Sequence, residues 1–453
     1  MALNESSVVT SIDDLVEYYK KSGTGKHLYV GIEWERSGIY RDTIEPVTYE
    51  SDKGYLAILK KLVAEVGWEI VEGYRNYIYE LKRGNARVTL EADGRFELSG
   101  SPLESLHDLG REFRIHANEV QEMSSFFNIG WLPLGIQPFH SADEIKYIKK
   151  KRYKIFEIFA QNEWMEPQMK KNNGLTANLS YSDEGNAIKK AQTLFRIIPI
   201  VGAIFASSPI NNREFSGLLD MRRYIIMHFD PLRNTIPKNI LSENFSFREW
   251  IEFYSKFPVY LIKRKKKEDL IPKDLTFEKW IKEGYENIYP TIYDFDQHIK
   301  TTWSDIRLRP DYLEYRVADS VPLRMVMAVP ALIKGLLFDS SNWESVKELT
   351  KDWTYEDIIE TDRRAWKEGL KTEIKGKNLL WYAKALIHIA NESLHKFGRK
   401  SSIGDDKDES IHLANLKEQI YIKEKSPAEE MTDLWEKEWD KNPKKLLEWC
   451  EKE

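Results

Sequence analysis

The strongest constraint on the fold is the segment LYVGIEWER, in which apolar and polar residues alternate. Apolar residues occupy every second position from Val30 to Trp34, and Glu33 and Glu35 occupy the positions between and after them. Successive side chains of a β-strand point to opposite faces of the sheet. A strand here therefore buries its apolar residues and presents both carboxylates together on the other face.

Two further segments show the same alternation. In YLEYRVAD the polar positions are Glu314 and Arg316, and in GLTANLSY they are Thr176 and Asn178. An antiparallel sheet often exposes one face to water, so any one of these strands is also explained by simple solvation. Three such strands together predict a sheet with one apolar face and one face of oxygen- and nitrogen-bearing groups.

The segment VTLEADGRFELSG reads as a β-hairpin with two further glutamates, Glu91 and Glu97. An odd-numbered loop, for instance residues 93–95, sets these two glutamates directly opposite each other, with Cβ atoms about 5 Å apart. An even-numbered loop places them on opposite faces, as in an ordinary solvated hairpin edge. The residues of the hairpin leave both registers open.

If these strands share one sheet, five carboxylates crowd one face: Glu33, Glu35, Glu91, Glu97 and Glu314. Crowded carboxylates require bound cations or raised pKa values. Hard divalent cations such as Mg²⁺ prefer oxygen ligands and commonly bridge to substrate phosphates. Arg316, on the same face as Glu314, supplies a cation for a transferring phosphoryl group.

Composition excludes several other classes of protein. The 453 residues carry a net charge of −5, which argues against nucleic acid as a partner. The longest apolar run, residues 197–206, is about half the length that spans a bilayer, so no membrane partner is expected. Acidic residues interrupt the N-terminal segment, which predicts a cytoplasmic protein. The single cysteine, Cys450, is expected to be a packing or surface residue.

The order of periodic segments predicts an α+β fold rather than alternating βαβ units. Period-two patterns dominate residues 28–98, and helical spacing dominates the chain from residue 103 and again from residue 343. Residues 189–207 are expected to form a helix kinked at Pro199. The charge run KRKKKED, residues 263–269, predicts a solvated loop.

In order along the chain, these segments resemble motifs of the glutamate-cysteine ligase family, in its plant and proteobacterial branch. The matching segments are GIEWE (31–35), EADGRFELSG (91–100), TANLSY (176–181), ASSPI (206–210), MRRYI (221–225), YLEYR (312–316) and AVPALIKGLLFD (328–339). Seven collinear motifs with family-like spacing make a chance resemblance very improbable.

The resemblance implies a fold similar to the catalytic part of glutamine synthetase, with a curved antiparallel sheet, a polar concave face and helices packed on the outer side. It implies an N-terminal helical segment (1–26), a catalytic domain (27–342) and a C-terminal helical region packed on it (343–453). The implied enzyme uses ATP and two or three Mg²⁺ ions. It joins the γ-carboxylate of glutamate to the amine of cysteine through a γ-glutamyl phosphate, takes small-molecule substrates only and is a monomer or homodimer.

Carried over by position, the resemblance assigns six metal ligands: Glu33, Glu35, Glu91, Glu97, Glu314 and Asn178. It assigns Arg316 to the γ-phosphoryl group as the catalytic residue. It assigns the binding of substrate or ATP to Arg222, Arg233, Thr176 and Arg324. With Glu91 and Glu97 both as ligands, the odd-numbered hairpin loop becomes the expected one.

The chain departs from the family pattern at several positions. Arg95 and Thr176 stand where the family carries glutamine, and Ile226 and Leu323 stand where it carries tryptophan. Most departures fall where the second substrate is expected to bind, so a γ-glutamyl ligase with another amine acceptor is the alternative. A non-catalytic sensor of the same fold would be expected to lose metal carboxylates, and all five remain.

Overall fold

The computed structural model describes residues 7–74, 77–149, 162–264, 270–400 and 407–452. Within this part of the chain, nine strands form one sheet in which every paired strand is antiparallel. The strands are β1 (Val30–Tyr40), β2 (Glu69–Tyr74), β3 (Tyr77–Arg83), β4 (Ala86–Leu90), β5 (Phe96–Ser99), β6 (Ile129–Leu132), β7 (Leu175–Ser180), β10 (Ile306–Leu308) and β11 (Tyr312–Tyr315). Their order is β10-β11-β7-β1-β5-β4-β3-β2, and β6 pairs with the second half of β1. The short strands β8 (Ile210–Asn211) and β9 (Glu214–Phe215) form a hairpin, and β12 (Glu373–Ile374) pairs with β13 (Lys377–Asn378).

The described residues also form helices, most of them on the apolar side of the sheet. Those up to residue 300 are α1 (Ile12–Ser22), α2 (Tyr55–Val66), α3 (Leu106–Ser125), α4 (Met165–Lys170), α5 (Glu184–Arg196), α6 (Ile198–Phe205), α7 (Met221–Phe229), α8 (Phe247–Ser255), α9 (Phe277–Glu283) and α10 (Ile292–Ile299). Those after it are α11 (Ala328–Leu337), α12 (Ser340–Leu349), α13 (Tyr355–Glu368), α14 (Leu379–Phe397), α15 (Ala414–Lys417), α16 (Pro427–Lys437) and α17 (Pro443–Glu451). Three 3₁₀ turns cover Leu323–Met325, Gly369–Lys371 and Glu409–Leu413, and a π-helical turn covers Glu418–Ile422.

β1 is the central strand of the sheet, and its alternation fixes what each face carries. Val30, Ile32 and Trp34 are at most 1% exposed and belong to the main hydrophobic core. Trp34 meets Phe113 of α3 edge to face, with ring centroids 5.0 Å apart. Glu33 and Glu35 point to the opposite face and are only partly buried. The predicted division into an apolar and a polar face is therefore the observed one.

The outer layer is built on α11, which is buried along its whole length. It packs against β7 and β1 on one side and against α14 on the other. Its sequence, AVPALIKGLL, lacks the polar stripe of a surface helix, because both of its sides meet apolar partners. The sheet with helices on one apolar face confirms the predicted α+β class.

Two local expectations from the sequence differ from the structure. Residues 28–98 are not all strand, because α2 lies between β1 and β2. The helix expected over residues 189–207 is two helices that meet at Ile197, and Pro199 lies in the first turn of the second, where its missing N–H costs nothing. The domain division at residue 342 stays a prediction, and that residue lies within α12. Most of the charge run 263–269 lies outside the described residues.

The C-terminal helices share the core of the sheet. α14 packs on α11 and α6, and α17 packs on β6. Cys450 of α17 is fully buried in a small apolar cluster with Trp435 and Leu447, as expected for a packing residue. Within the described residues, every helix is too short or too polar to cross a bilayer.

Candidate active site

The β4–β5 hairpin has the odd-numbered loop that was expected, but its register is shifted by two residues. Glu91 and Arg95 face each other across a three-residue loop, 92–94, and Gly94 closes it with φ +93°. Glu97 is opposite Thr89 on one side and opposite Glu35 of β1 on the other. The expectation that Glu91 and Glu97 lie directly opposite is wrong, because the turn centres on Asp93 rather than on Gly94. Both glutamates nevertheless point to the same face.

Glu35, Glu91 and Glu97 form one carboxylate cluster. Each contributes a carboxylate oxygen such that all three oxygens lie within 4.8 Å of one another. Burial, followed by the charge of Glu91, raises the pKa of Glu35 to about 7. Burial and the neighbouring carboxylates also hold the pKa of Glu97 well above its ordinary value. Without a cation this cluster is therefore partly protonated at neutral pH.

Glu33 extends this cluster toward β7 and β11. Its Oε1 accepts a hydrogen bond from Asn178 Nδ2 at 3.0 Å, and its Oε2 lies 3.9 Å from Arg316 Nη1. Burial and then Glu314 raise the pKa of Glu33. The Oδ1 atom of Asn178 is buried and has no hydrogen-bond partner among the described residues. This orphaned oxygen beside a carboxylate is an unused acceptor.

Glu314 differs from the other four glutamates because arginines surround it. Its carboxylate lies 2.5 Å from Arg307, 3.4 Å from Arg316 and 3.6 Å from Arg309. Burial opposes its ionisation, but these three guanidinium groups outweigh burial and lower its pKa. Glu314 is thus ionised and already paired, which makes it a weaker candidate ligand than Glu35 or Glu97.

Arg307 and Arg309 are site residues that the sequence analysis missed. Both line the same cavity as the carboxylates and stand on β10 or directly after it. The sequence does contain a pattern that indicates a strand here, because the two arginines alternate with Ile306 and Leu308 shortly before the YLEYR motif. A strand of three residues is too short for its alternation to be recognised, unless it is already known that the segment pairs with β11.

Arg222 of the MRRYI motif lies at the edge of the cavity, where Asp319 and the YLEYR motif hold its guanidinium. Its guanidinium lies 3.6 Å from Asp319 and donates to the carbonyl oxygen of Arg316 at 3.2 Å. Asp319 in turn accepts hydrogen bonds from Ser207 N at 2.8 Å and Ser208 Oγ at 2.7 Å. The segments ASSPI and MRRYI therefore meet at one buried carboxylate, that of Asp319, which comes from a third part of the chain.

Arg95 occupies the corner between the hairpin and α4. It is 3% exposed and donates to Asp93 Oδ1 at 2.5 Å and to the carbonyl oxygen of Met169 at 2.8 Å. Its positive charge also lowers the pKa of Glu35, against the larger effect of burial. Arg95 therefore braces the hairpin turn and partly neutralises the carboxylate cluster.

Three sequence-assigned binding residues do not line the cavity that holds the carboxylates. Arg233 donates to Pro258 and Thr301 and lies over the ring of Tyr260 at 3.7 Å, so its contacts hold the loop behind α7. Arg324 lies on the apolar side of the sheet and donates to Trp449 at 3.2 Å. Thr176 is directly opposite Glu33 on β7, so its side chain is on the polar face beside that carboxylate, but it is buried and does not line the cavity.

The cavity has a volume of about 480 Å³ and carries acidic and basic groups in nearly equal number. Four carboxylates with an orphaned amide oxygen form an all-oxygen donor set, which fits hard divalent cations such as Mg²⁺. Arg307, Arg309 and Arg316 provide donors whose planar forks suit phosphate and carboxylate oxygens.

A mixed α+β fold whose sheet face carries carboxylates beside arginines is typical of one class of protein: enzymes that handle phosphoryl groups. The particular family follows from comparison with known proteins. The chain belongs to the glutamate-cysteine ligase family 2, whose family model matches residues 29–448. The family predicted from the seven motifs is thereby confirmed.

Curated relatives cover almost the whole chain. The chloroplastic glutamate–cysteine ligase A of Oryza sativa subsp. indica is 29% identical over 438 residues, which are 95% of this chain and 86% of the relative. The chloroplastic glutamate–cysteine ligase of Nicotiana tabacum is 28% identical over 443 residues, which are 96% of this chain and 82% of the relative.

Solved structures share the fold at much lower identity. A glutamate–cysteine ligase from Francisella tularensis in complex with AMP superposes with a TM-score of 0.57 at 11% identity, covering 94% of this chain and 89% of that one. A bifunctional glutathione synthetase from Pasteurella multocida has a TM-score of 0.53 at 14% identity. That match covers 97% of this chain and 53% of the bifunctional enzyme. These likenesses confirm the predicted fold class.

Proposed function

We propose that the protein is an ATP-dependent glutamate–cysteine ligase that forms γ-glutamylcysteine, ADP and phosphate. The observation that carries this proposal is the carboxylate cluster of Glu35, Glu91 and Glu97, which faces Arg316 across one sheet face in a chain of this family. Relatives at 27–29% identity are named for this reaction.

In this proposal the carboxylates hold divalent cations and the arginines hold anions. Glu33, Glu35, Glu91 and Glu97, with the orphaned oxygen of Asn178, are the cation ligands. Bound Mg²⁺ ions would neutralise the triphosphate and polarise its γ-phosphoryl group. Arg316 neutralises charge on that group, and Arg222 binds a substrate carboxylate or phosphate at the other edge of the cavity.

The reaction has two balanced steps. An oxygen of the glutamate γ-carboxylate attacks the γ-phosphorus of ATP, the bond to ADP breaks, and γ-glutamyl phosphate forms. The amine nitrogen of the acceptor then attacks the acyl carbon, phosphate leaves, and the amine loses a proton. The protein contributes mainly position and charge: the γ-carboxylate and the triphosphate repel each other unless the site neutralises both.

A second candidate is a ligase of the same mechanism with another amine acceptor. The observation that favours it is Ile226, which lines the cavity where the family carries tryptophan. A branched aliphatic side chain leaves more room there than an indole, so the acceptor is the least constrained part of the proposal.

The test is phosphate release from ATP in the presence of Mg²⁺, glutamate and one amine at a time, with the product identified by mass. Cysteine is expected to give the largest stimulation and a γ-glutamylcysteine product. Stimulation by a non-thiol amine alone would replace cysteine with the second candidate. If no amine stimulates phosphate release from folded protein, the ligase proposal fails.

Variants of the site separate catalysis from folding. Glu97→Gln and Arg316→Lys keep the side-chain size, and each is expected to reduce turnover by at least 100-fold. The thermal unfolding of the metal-free proteins is expected to change little, because Glu97 is under electrostatic strain there. Glu360→Gln on the exposed surface of α13 is the matched control and is expected to retain full activity. Loss of folding stability in step with activity would point to a structural role instead.

The remaining expectations stay predictions. Binding of Mg²⁺ is tested by loss of phosphate release on chelation and its recovery on addition of the metal. The oligomeric state, monomer or homodimer, is open to measurement of mass in solution. The cytoplasmic location is not supported by the plant relatives, which are named chloroplastic.

A further inference from the structure

A second cavity, of about 990 Å³, lies on the opposite side of β1 from the carboxylate cluster. Its walls come from β1, β6, α3, the turn Leu323–Met325, the segment 411–415 and the end of α17. Aromatic and aliphatic side chains form much of the surface, and basic side chains form most of the rest. Its size is in the range of small-molecule sites. The mechanism proposed above makes no use of it.

Arg36 is the central polar residue of this back cavity. It is 2% exposed, and its guanidinium lies 4.1 Å from the ring centroid of Trp34 and 4.9 Å from that of Trp131. Its Nη2 lies 3.0 Å from His116 Nε2, a histidine whose pKa burial holds well below its usual value, so the imidazole is a neutral acceptor. Its Nη1 has no hydrogen-bond partner among the described residues.

The charge of Arg36 is not balanced by a carboxylate. Burial lowers the pKa of Arg36 only to about 9, so the guanidinium is still charged at pH 7. Among the described residues, no acidic group lies within ion-pair distance of it. The one acidic residue that lines the back cavity, Glu451, is bound to both terminal nitrogens of Arg41 at 2.9 and 2.6 Å. A buried, unpaired charge is costly, and a bound anion removes that cost.

Two more polar atoms in the walls of the back cavity are unpaired. Trp34 Nε1 and His412 Nε2 are buried and have no partner in the described part of the chain. Burial, and then the neighbouring His107 and Arg114, lower the pKa of His412 to about 4, so it is neutral at pH 7. Three side chains that line this cavity therefore each carry a buried polar atom without a hydrogen-bond partner in the described part of the chain.

We propose that the back cavity is a second binding site, which takes an aromatic carboxylate. The carboxylate binds Nη1 of Arg36 and neutralises it, and Trp34 Nε1 is a second donor within the same wall. The ring packs against the aromatic walls, Trp34, Phe113 and Trp131. A planar ring can stack on these aromatic side chains. Because Nη1 is the one terminal nitrogen of Arg36 without a partner among the described residues, a ligand with one negative charge is enough to neutralise it.

The test compares naphthalene-2-carboxylate with naphthalene-2-carboxamide, which has the same shape without the charge, by titration calorimetry on the full chain. The carboxylate is expected to bind at least tenfold more tightly than the amide. Arg36→Met keeps the length of the side chain and is expected to abolish this preference. Ala117→Phe, which fills the cavity from α3, is expected to weaken both probes.

Glu97→Gln is the matched control, because it alters the carboxylate cluster on the other face and is expected to leave both affinities unchanged. Arg36→Met is expected to unfold at no lower temperature than the parent, since it removes an unpaired buried charge. If that variant fails to fold, Ala117→Phe decides alone. Equal affinity for the two probes, unchanged binding by the variants, or binding of inorganic phosphate in place of the carboxylate would overturn the proposal.

Discussion

Arg95 shows how one residue can serve the turn and the site at once. Its guanidinium pairs with Asp93 inside the hairpin, and its charge reaches Glu35 and Glu91 beside it. The glutamine that the family carries here would give hydrogen bonds but no charge. In this chain the carboxylate cluster therefore faces a fixed positive charge from the protein in addition to any bound cation.

Breaking the pair of Arg95 and Asp93 is expected to cost folding stability. Arg95→Gln leaves the Asp93 carboxylate buried without its cation and is expected to lower the free energy of unfolding by about 3 kcal/mol. The double variant Asp93→Asn/Arg95→Gln is expected to recover about 2 kcal/mol of this loss. Urea denaturation measures both, and Lys351→Gln, from an exposed ion pair, is the control and is expected to leave the stability unchanged. Additive effects of the two single substitutions would contradict the pairing.

The raised pKa of Glu35 predicts a pH dependence of metal binding. With a pKa of about 7 instead of 4.5, Glu35 ionises later in the folded than in the unfolded protein, so the metal-free protein loses stability as the pH rises from about 4.5 to about 7. If Glu35 is a ligand, as proposed, Mg²⁺ is expected to bind the ionised form and so to release a proton in the same range.

Titration calorimetry in buffers of different ionisation enthalpy counts the protons released when Mg²⁺ binds. At pH 6, Glu35→Gln is expected to release fewer protons than the parent protein, and at pH 8.5 the two are expected to release the same number. Equal proton release at pH 6 would mean that Glu35 is already ionised or is not a ligand.

At the scale of the element, the adjacent strands β1 and β7 each have a glycine near the carboxylate cluster, and the two glycines differ in how closely other groups approach them. A Cβ atom on Gly174, directly before β7, would lie 2.7 Å from Arg222 Nη2, and Gly174 N donates to Glu35 at 2.8 Å. A Cβ atom on Gly31 of β1 would meet its nearest neighbours at 3.6 and 3.8 Å, which is ordinary contact.

This difference predicts opposite outcomes for two matched substitutions. Gly174→Ala is expected to displace the Arg222 guanidinium and reduce kcat/KM at least tenfold, with little loss of stability because a side-chain tip can move. Gly31→Ala is expected to keep activity within about twofold. Steady-state kinetics and thermal unfolding of both variants provide the measurement; a tolerated Gly174→Ala would remove Arg222 from the substrate-binding residues.

The sequence predicted the polar faces of β1, β7 and β11 because their period of two extends over enough residues to be recognised. It did not predict the hairpin register, since two odd-numbered turns fit the same residues and the left-handed conformation of Gly94 decides between them. It also missed α2, although Ile58, Leu59 and Leu62 have helical spacing and are buried together. That segment lies among strands, and their pattern dominated the interpretation.

At the scale of the whole molecule, the chain's last helix is tied to its first long strand. Arg41, next to β1, binds Glu451 of α17 through two hydrogen bonds, and Leu447 packs against Gly130 of β6. Contacts of this kind, more than 300 residues apart in sequence, produce no local pattern. For this reason neither the docking of α17 nor the back cavity it borders was predictable from the sequence.

This docking predicts that α17 and β6 unfold together. Leu447→Ala removes a side chain that is 3% exposed and is expected to lower the free energy of unfolding by about 3 kcal/mol. Hydrogen exchange is expected to show equal acceleration in residues 129–132 and 443–451. Leu232→Ala, at a site that is 50% exposed, is the control and is expected to cost less than about 0.5 kcal/mol. Acceleration in α17 alone would show that it opens independently.

The position of β1 between two cavities determines how the chain tolerates changes in length. Adding or removing one residue before Glu33 would exchange the faces of the strand, so that Glu33 and Glu35 would enter the apolar core and Trp34 would enter the carboxylate cluster. The exposed turn at Gly84 and Asn85 borders neither cavity and can absorb such a change. Insertions and deletions should therefore be confined to the outer hairpins of the sheet, while β1 keeps a fixed length.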